Sequence, residues 1–227
     1  MNSNYYLHGP VGVDVTIFPT LLPNDNDNIP WYLAAEAQPI PSDRMPKADN
    51  RLFVIEDEDK IEEKSIFLGD VAGNTDNLTI FSEKALRLFK QETNLGSFDE
   101  YEITIKSSKD IKDKYFLINF QNLIPLDNKK SKLRNYSDGE LAAVTELVFD
   151  KKELSDAPDF VKSKTLPWDL YVSEKVIKVV KDNKLMNFEF VGPFNGEAYA
   201  PNDVIQFPER KPDGTLDDFT PLINLIQ

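Results

Sequence analysis

The chain has 227 residues, 41% of them hydrophobic, with fifteen Phe and eight Tyr, enough for a substantial core and too apolar for a disordered chain. It has no cysteine, one histidine and a net charge of −13. Disulfides, thiolate chemistry and multi-histidine metal sites are thereby excluded; with His8 expected in a mobile terminus, so is a Ser-His-Asp triad.

In chain order, Val13 to Phe18 reads as a first strand stopped by Pro19, and the polar run Asn24–Asn28 as a loop. Trp31 to Ala37 reads as extended, and Pro39, Pro41 and Pro46 make residues 38–50 a structureless connection. Leu52 to Ile55 is strand-like and runs into the acids Glu56, Asp57, Glu58 and Asp59. Residues 60–68 allow a short helical turn. Tyr101, Ile103 and Ile105 alternate with polar residues as in a half-buried strand, and Tyr115 to Phe120 reads as a central one. After the basic loop Lys129, Lys130, Lys132 and Arg134, Asp138-Gly139 marks a turn and Val144 to Phe149 another strand. Residues 150–165 read as charged connection. The tail, with Pro201, Pro208 and Lys211-Pro-Asp-Gly214, could cover a sheet edge.

Two helices stand out, over about 82–94 and 173–183. Ser173 is placed as an N-cap with Glu174 in the first turn; Val176, Val179 and Val180 share one face, while Lys175, Lys178 and Lys181 point outward. Phe188, Phe190 and Phe194 then give the beat of a buried strand. Ser82, Glu83 and Lys84 open the earlier helix in the same way, with Phe81, Ala85, Leu88 and Phe89 matching Val172, Val176, Val179 and Val180. Ser-Glu-Lys is also simply a good helix start, and two copies are fewer than a repeat architecture needs. The pattern predicts α+β, a mixed or antiparallel sheet packed by these two capped helices. Residues 1–77 form a strand- and loop-rich acidic part and residues 78–227 an α+β part, within one compact unit.

Catalytic motifs are few. Gly9-Pro-Val-Gly12 lacks the lysine and spacing of a phosphate loop. Asp25, Asp27 and Glu36 occupy three positions of a calcium loop, but Pro30 stands where the turn glycine belongs and Ile29 replaces an oxygen ligand. No catalytic residue, metal site or cofactor is assigned. The acids Glu56 to Asp59, with Glu62 and Glu63, suit a solvated edge or a partner surface better than a metal cluster, because adjacent carboxylates of an extended run face opposite ways. Charge is uneven: residues 1–110 hold 20 acidic and 10 basic side chains, residues 111–227 hold 19 and 16. That balance disfavours nucleic acid and anionic membranes and attracts a basic partner, though ordinary solubility accounts for it as well. The N-terminus lacks the basic and apolar regions of a secretory signal, and no window approaches a membrane span; a cytoplasmic protein is expected.

Short anchors carry a resemblance over about residues 78–194. They are Ile80-Phe-Ser-Glu-Lys with its helix, Glu102-Ile-Thr-Ile, Tyr115-Phe-Leu-Ile-Asn-Phe, Leu126-Asp127, Leu147-Val-Phe-Asp150, Tyr171-Val-Ser-Glu-Lys-Val-Ile and Phe188-Glu-Phe-Val-Gly-Pro-Phe194. This pattern resembles the eleventh immunity-protein family of bacterial polymorphic toxin systems. The resemblance implies a cytoplasmic, non-catalytic protein that binds and neutralises a cognate toxin encoded nearby, and it offers no catalytic residue to carry over. Trp168-Asp169 departs from the family's form, and residues 1–77 have no counterpart in it.

Two function classes follow. One is a toxin-binding immunity protein, whose partner face is expected to use the acids Glu56, Asp57, Glu58, Asp59, Glu62 and Glu63 and the aromatic anchors Trp31, Tyr32 and Trp168. The other is a carboxylate-dependent hydrolase, which needs a deep pocket holding carboxyls of raised pKa. A structural component of a secretion or phage-derived system is a third reading.

Overall fold

Two strand-to-helix junctions organise the molecule, and both are written Ser-Glu-Lys. The computed structural model describes residues 5–8, 19–24, 29–62, 64–135, 141–194, 203–206 and 222–223. In chain order these contain β1 (Tyr5–His8), β2 (Leu21–Pro23), α1 (Trp31–Ala35), β3 (Leu52–Ile55), β4 (Ser65–Ile66), β5 (Thr79–Ser82), α2 (Glu83–Glu92), β6 (Phe98–Lys106), β7 (Asp110–Ile111) and β8 (Tyr115–Phe120). Then come β9 (Leu123–Ile124), β10 (Lys132–Asn135), β11 (Leu141–Glu146), α3 (Lys151–Ser155), β12 (Phe160–Ser163), β13 (Leu170–Ser173), α4 (Glu174–Asp182), β14 (Glu189–Phe194), β15 (Asp203–Gln206) and β16 (Leu222–Ile223).

The fold is α+β with mixed sheets. One sheet has the order β2-β3-β6-β8-β5, with only the β3–β6 pair parallel. A second runs β16-β15-β14-β1-β13-β12-β9, with only β12–β9 parallel, and β10–β11 and β4–β7 form two small pairs of their own. Alternation along the strands gives each large sheet two apolar faces. Facing inward, Phe81, Ile118 and Phe120 of the first sheet and Phe160, Val172 and Phe190 of the second join Ala85, Leu88 and Phe89 of α2 and Val176, Val179 and Val180 of α4 in one core. Phe120 stacks on Phe160 across it, ring centroids 4.7 Å apart. On the outer face of the first sheet, Ile80, Ile103 and Leu117 meet Trp31, Ala34, Phe53 and Leu68. Outside the second sheet, Tyr5, Val161, Tyr171 and Phe194 meet Ile124, Phe149 and Leu154. Of the described residues before Leu78, β1 sits inside the second sheet, while β2, β3 and α1 build and cover the first.

Both helices start one residue after the expected cap. Ser82 Oγ accepts from the Ala85 amide at 3.1 Å while its hydroxyl donates to Asp70; Ser173 donates its hydroxyl to Asp159 in the same way but makes no side-chain cap bond. Several expectations are corrected. Trp31 to Ala37 is not extended: Pro30, at φ −80°, opens α1, and Trp31, Ala34 and Ala35 bury one face of it. Residues 38–50 contain two 3-10 turns, Ser42–Arg44 and Ala48–Asn50. The turn expected within 60–68 falls earlier, at Glu58–Lys60, and β4 follows. Residues 150–165 hold α3, capped by the Asp150 carboxylate, and the fully buried β12. His8 lies in β1, in register with Phe190. β15, from the tail, pairs with β14. Residues 13–18, Asp25, Asp27, Asp138-Gly139, Pro201, Pro208 and 211–214 lie outside the described residues.

Phe89 is fully buried and packs against Phe81, Phe160 and Phe188 at centroid distances of 5.1, 5.3 and 6.0 Å, so its ring joins both sheets. Phe89→Ala is expected to cost about 3–5 kcal/mol, read as a lower denaturation midpoint; an unchanged midpoint would contradict this packing.

Candidate functional site

The acids of the run differ in their surroundings. After β3 the chain turns through Asp57, held at φ 52°, into the 3-10 turn. Glu58 folds back: its Oε1 accepts from the Ser107 hydroxyl at 2.8 Å, the Ser108 hydroxyl at 2.7 Å and the Ser108 amide at 2.7 Å. These bonds, the Ser108 hydroxyl first, hold its carboxyl below the usual carboxylate range. Asp57 pairs with Lys60 at 2.7 Å, and the half-buried Glu56 donates its amide to the Thr20 carbonyl at 2.9 Å. Asp59 and Glu62 are exposed, as is Asp57, and Glu63 lies outside the described residues.

A second cluster was invisible in the sequence. Lys162, in β12, is 2% exposed and donates to the carbonyls of Ala34 at 3.1 Å and Ala35 at 2.7 Å, the last turn of α1. Burial pushes its ammonium down to about 8, against the opposing charge of Asp169, whose own carboxyl burial raises. Close by, the buried Asn119 donates to the Gln38 carbonyl at 2.7 Å, fixing the same segment to β8.

Around this anchor lie three of the four exposed large hydrophobic side chains among the described residues. Tyr32, 59% exposed, precedes Ala34 by two residues on α1; Leu123 is the register partner of Lys162; Trp168, 45% exposed, adjoins Asp169. Large aromatics half in water lose little rotamer freedom on docking and are the side chains on which interface energy concentrates. Trp31, by contrast, is 6% exposed, with its ring 5.6 Å from that of Phe53, and belongs to the core.

The Lys162 anchor and the acidic turn lie toward opposite ends of β6. Asp99, in register with Asn119, lies at one end of β6, and Lys106, beside Ser107, at the other. Seven residues of strand separate them by about 23 Å. The Lys162 anchor thus lies toward the Asp99 end of β6 and the acidic turn at its Lys106 end, with α1 between them: its Trp31 reaches Phe53, the register partner of Ile105.

A groove of about 570 Å³ runs along α2 between Glu83, Lys84, Arg87, Lys90, Glu100 and Asp113. Lys84 lies 3.6 Å from Asp70, Lys90 pairs with Glu100, and partial burial followed by the charge of Asp70 raises the Asp113 carboxyl. Among the described residues, no three His, Asp or Glu side chains converge as metal ligands, and no helix is long and apolar enough to cross a membrane. No family model matches the chain, and no curated protein matches it in sequence.

The depressed Lys162 gives a signed pH dependence. Folded, it loses its proton near 8; unfolded, near 10.4. Between those values the unfolded chain holds more protons, so stability should rise with pH by up to about 3 kcal/mol. Tyr5, Tyr115 and Tyr171, raised by burial, act with the opposite sign above about pH 10, where their unfolded hydroxyls ionise. Denaturation at pH 7.5, 8.5 and 9.5 should show the rise in the parent and a flat profile in Lys162→Met; equal slopes would place the titration elsewhere.

Proposed function

We propose that the chain is a non-catalytic binding protein, an immunity protein that occupies and neutralises a cognate bacterial toxin in the cytoplasm. The observation that carries this reading is the pair of solvent-facing aromatics, Tyr32 and Trp168, flanking the rigid Lys162 anchor. Their supporting backbone is already ordered, so little freedom is lost when a partner covers them. The net charge of −13, concentrated in the first half, suits a basic partner such as a nuclease toxin, whose cationic groups must hold phosphate. The short anchors of residues 78–194 support the same family. A hydrolase remains the second reading, favoured by the raised Asp113 carboxyl in the groove along α2.

The two faces divide the labour. The solvent-facing acids steer approach and the aromatics hold the complex, since exposed charge pairs contribute only ~0–1 kcal/mol each. Binding kinetics against a basic toxin encoded beside this gene test the division. Glu56→Gln, Asp59→Asn and Glu62→Gln together, with the internally used Glu58 left intact, should slow association about threefold or more at low salt and flatten its salt dependence. Trp168→Ala should raise the dissociation rate by about tenfold or more, with association nearly unchanged. No complex with the neighbour-encoded protein, or turnover of a phosphodiester or glycoside abolished by Asp113→Asn, would overturn the proposal.

A further inference from the structure

The two Ser-Glu-Lys junctions are parts of a larger correspondence. Glu92 and Asn183, which share a hydrogen bond, stand 91 residues apart. The same offset carries β5 onto β13, the start of α2 onto that of α4, the start of β6 onto that of β14, and Gly96 at φ 66° onto Asn187 at φ 66°. In both units the strand before the helix and the strand after it run parallel with one strand between them. That middle strand is β8 in the first unit and β1 in the second, antiparallel to both neighbours. Tyr115 is in register with Ser82, and Tyr5 with Ser173. The Tyr115 hydroxyl donates to the Gly69 carbonyl at 3.0 Å and the Tyr5 hydroxyl to the Pro158 carbonyl at 2.7 Å; each acceptor immediately precedes an aspartate, Asp70 or Asp159. The sequences agree as well, Tyr5-Tyr-Leu against Tyr115-Phe-Leu.

The origin of the middle strand differs. β8 follows β6 along the chain, whereas β1 comes from the opposite terminus, with Tyr5 153 residues from its acceptor Pro158. We propose that the chain is a duplicated split β-α-β unit whose second copy receives its middle strand from the N-terminus, so that the cleft between β13 and β14 is an acceptor site for an extended Tyr-aromatic-Leu segment. In the monomer residues 5–8 fill it, and the same strand of a second copy fits it equally. Main-chain pairing on both edges supplies affinity, and the Tyr5 pocket supplies selectivity. That ring is 2% exposed, in the cluster with Phe149, Tyr171 and Phe194, so an empty cleft opens the outer core of the second unit.

A protease site inserted between Gly12 and Val13 and cut after folding tests this on the intact protein. The released segment, residues 1–12, should stay bound through gel filtration and be displaced by excess labelled peptide of the same sequence. A Tyr5→Ala peptide should compete at least tenfold less well. Precipitation of the remainder, prevented by the parent peptide and not by the Tyr5→Ala one, would also support the acceptor site. Prompt loss of the segment while residues 13–227 keep the uncut melting temperature would overturn it. In the uncut chain, Tyr5→Phe and Tyr115→Phe should lower the denaturation midpoint by similar amounts. No effect at Tyr5 beside a clear one at Tyr115 would contradict the correspondence.

Discussion

The structure depends on two carboxylates that each hold both halves of the molecule. Asp70 Oδ1 accepts from the Ser82 hydroxyl at 2.8 Å, in its own unit, while its Oδ2 accepts from the Met186 amide at 2.9 Å, in the other. Asp159 does the reverse, taking the hydroxyl of Ser173 in its own unit and the Asn94 amide of the first at 2.7 Å. Each aspartate also returns its own amide to the same loop, Asp70 to the Met186 carbonyl at 3.1 Å and Asp159 to the Asn94 carbonyl at 2.8 Å. Hydrogen bonds to a charged group contribute roughly 1.5–3 kcal/mol each, and a buried carboxylate is tolerable only with its lone pairs filled. Lys84 and Lys175 stand 3.6 and 3.9 Å from the two carboxylates, adding charge balance at the rim.

This reciprocal arrangement ties each strand-to-helix junction to the loop that leaves the opposite helix. The inner faces of α2 and α4 are thereby brought together over a shared aromatic core. What remains is to cover the outer faces, and the two units do so differently. The first is covered by α1 with Leu21, Ile40, Ile66, Leu68 and Ala72, the second by Leu126, Phe149 and Leu154. Lys162 fastens the first cover to the second unit, and the exposed aromatics Tyr32 and Trp168 sit at that seam.

Sequence reading reached the parts whose signals are local. A capping serine, an acid in the first turn and a helical apolar spacing located both helices to within a residue or two at their starts. The unbroken run Tyr115 to Phe120 marked β8 for the same reason. Short or displaced elements escaped. Five residues of α1 are too few for a period, although Pro30 before Trp31 was a usable start signal. β12 was hidden by Lys162, a charged residue that only the carbonyl end of α1 makes bearable inside. The match of Tyr5-Tyr-Leu to Tyr115-Phe-Leu was in plain view, but it breaks the order of the repeat, and three residues alone are not a signal. The internal use of Glu58 was not legible in the acidic run, because its partners Ser107 and Ser108 lie some 50 positions along the chain.

The claim that two equivalent units clasp one another through Asp70 and Asp159 is tested most directly by amide hydrogen exchange at Asn94 and Met186. The account expects slow exchange at both in the parent. It expects Asp70→Ala to free the Met186 amide and Asp159→Ala to free that of Asn94, each change appearing in the unit that was not mutated. If Met186 stayed as protected in Asp70→Ala as in the parent, and Asn94 as protected in Asp159→Ala, the clasp would not be what holds the two halves together.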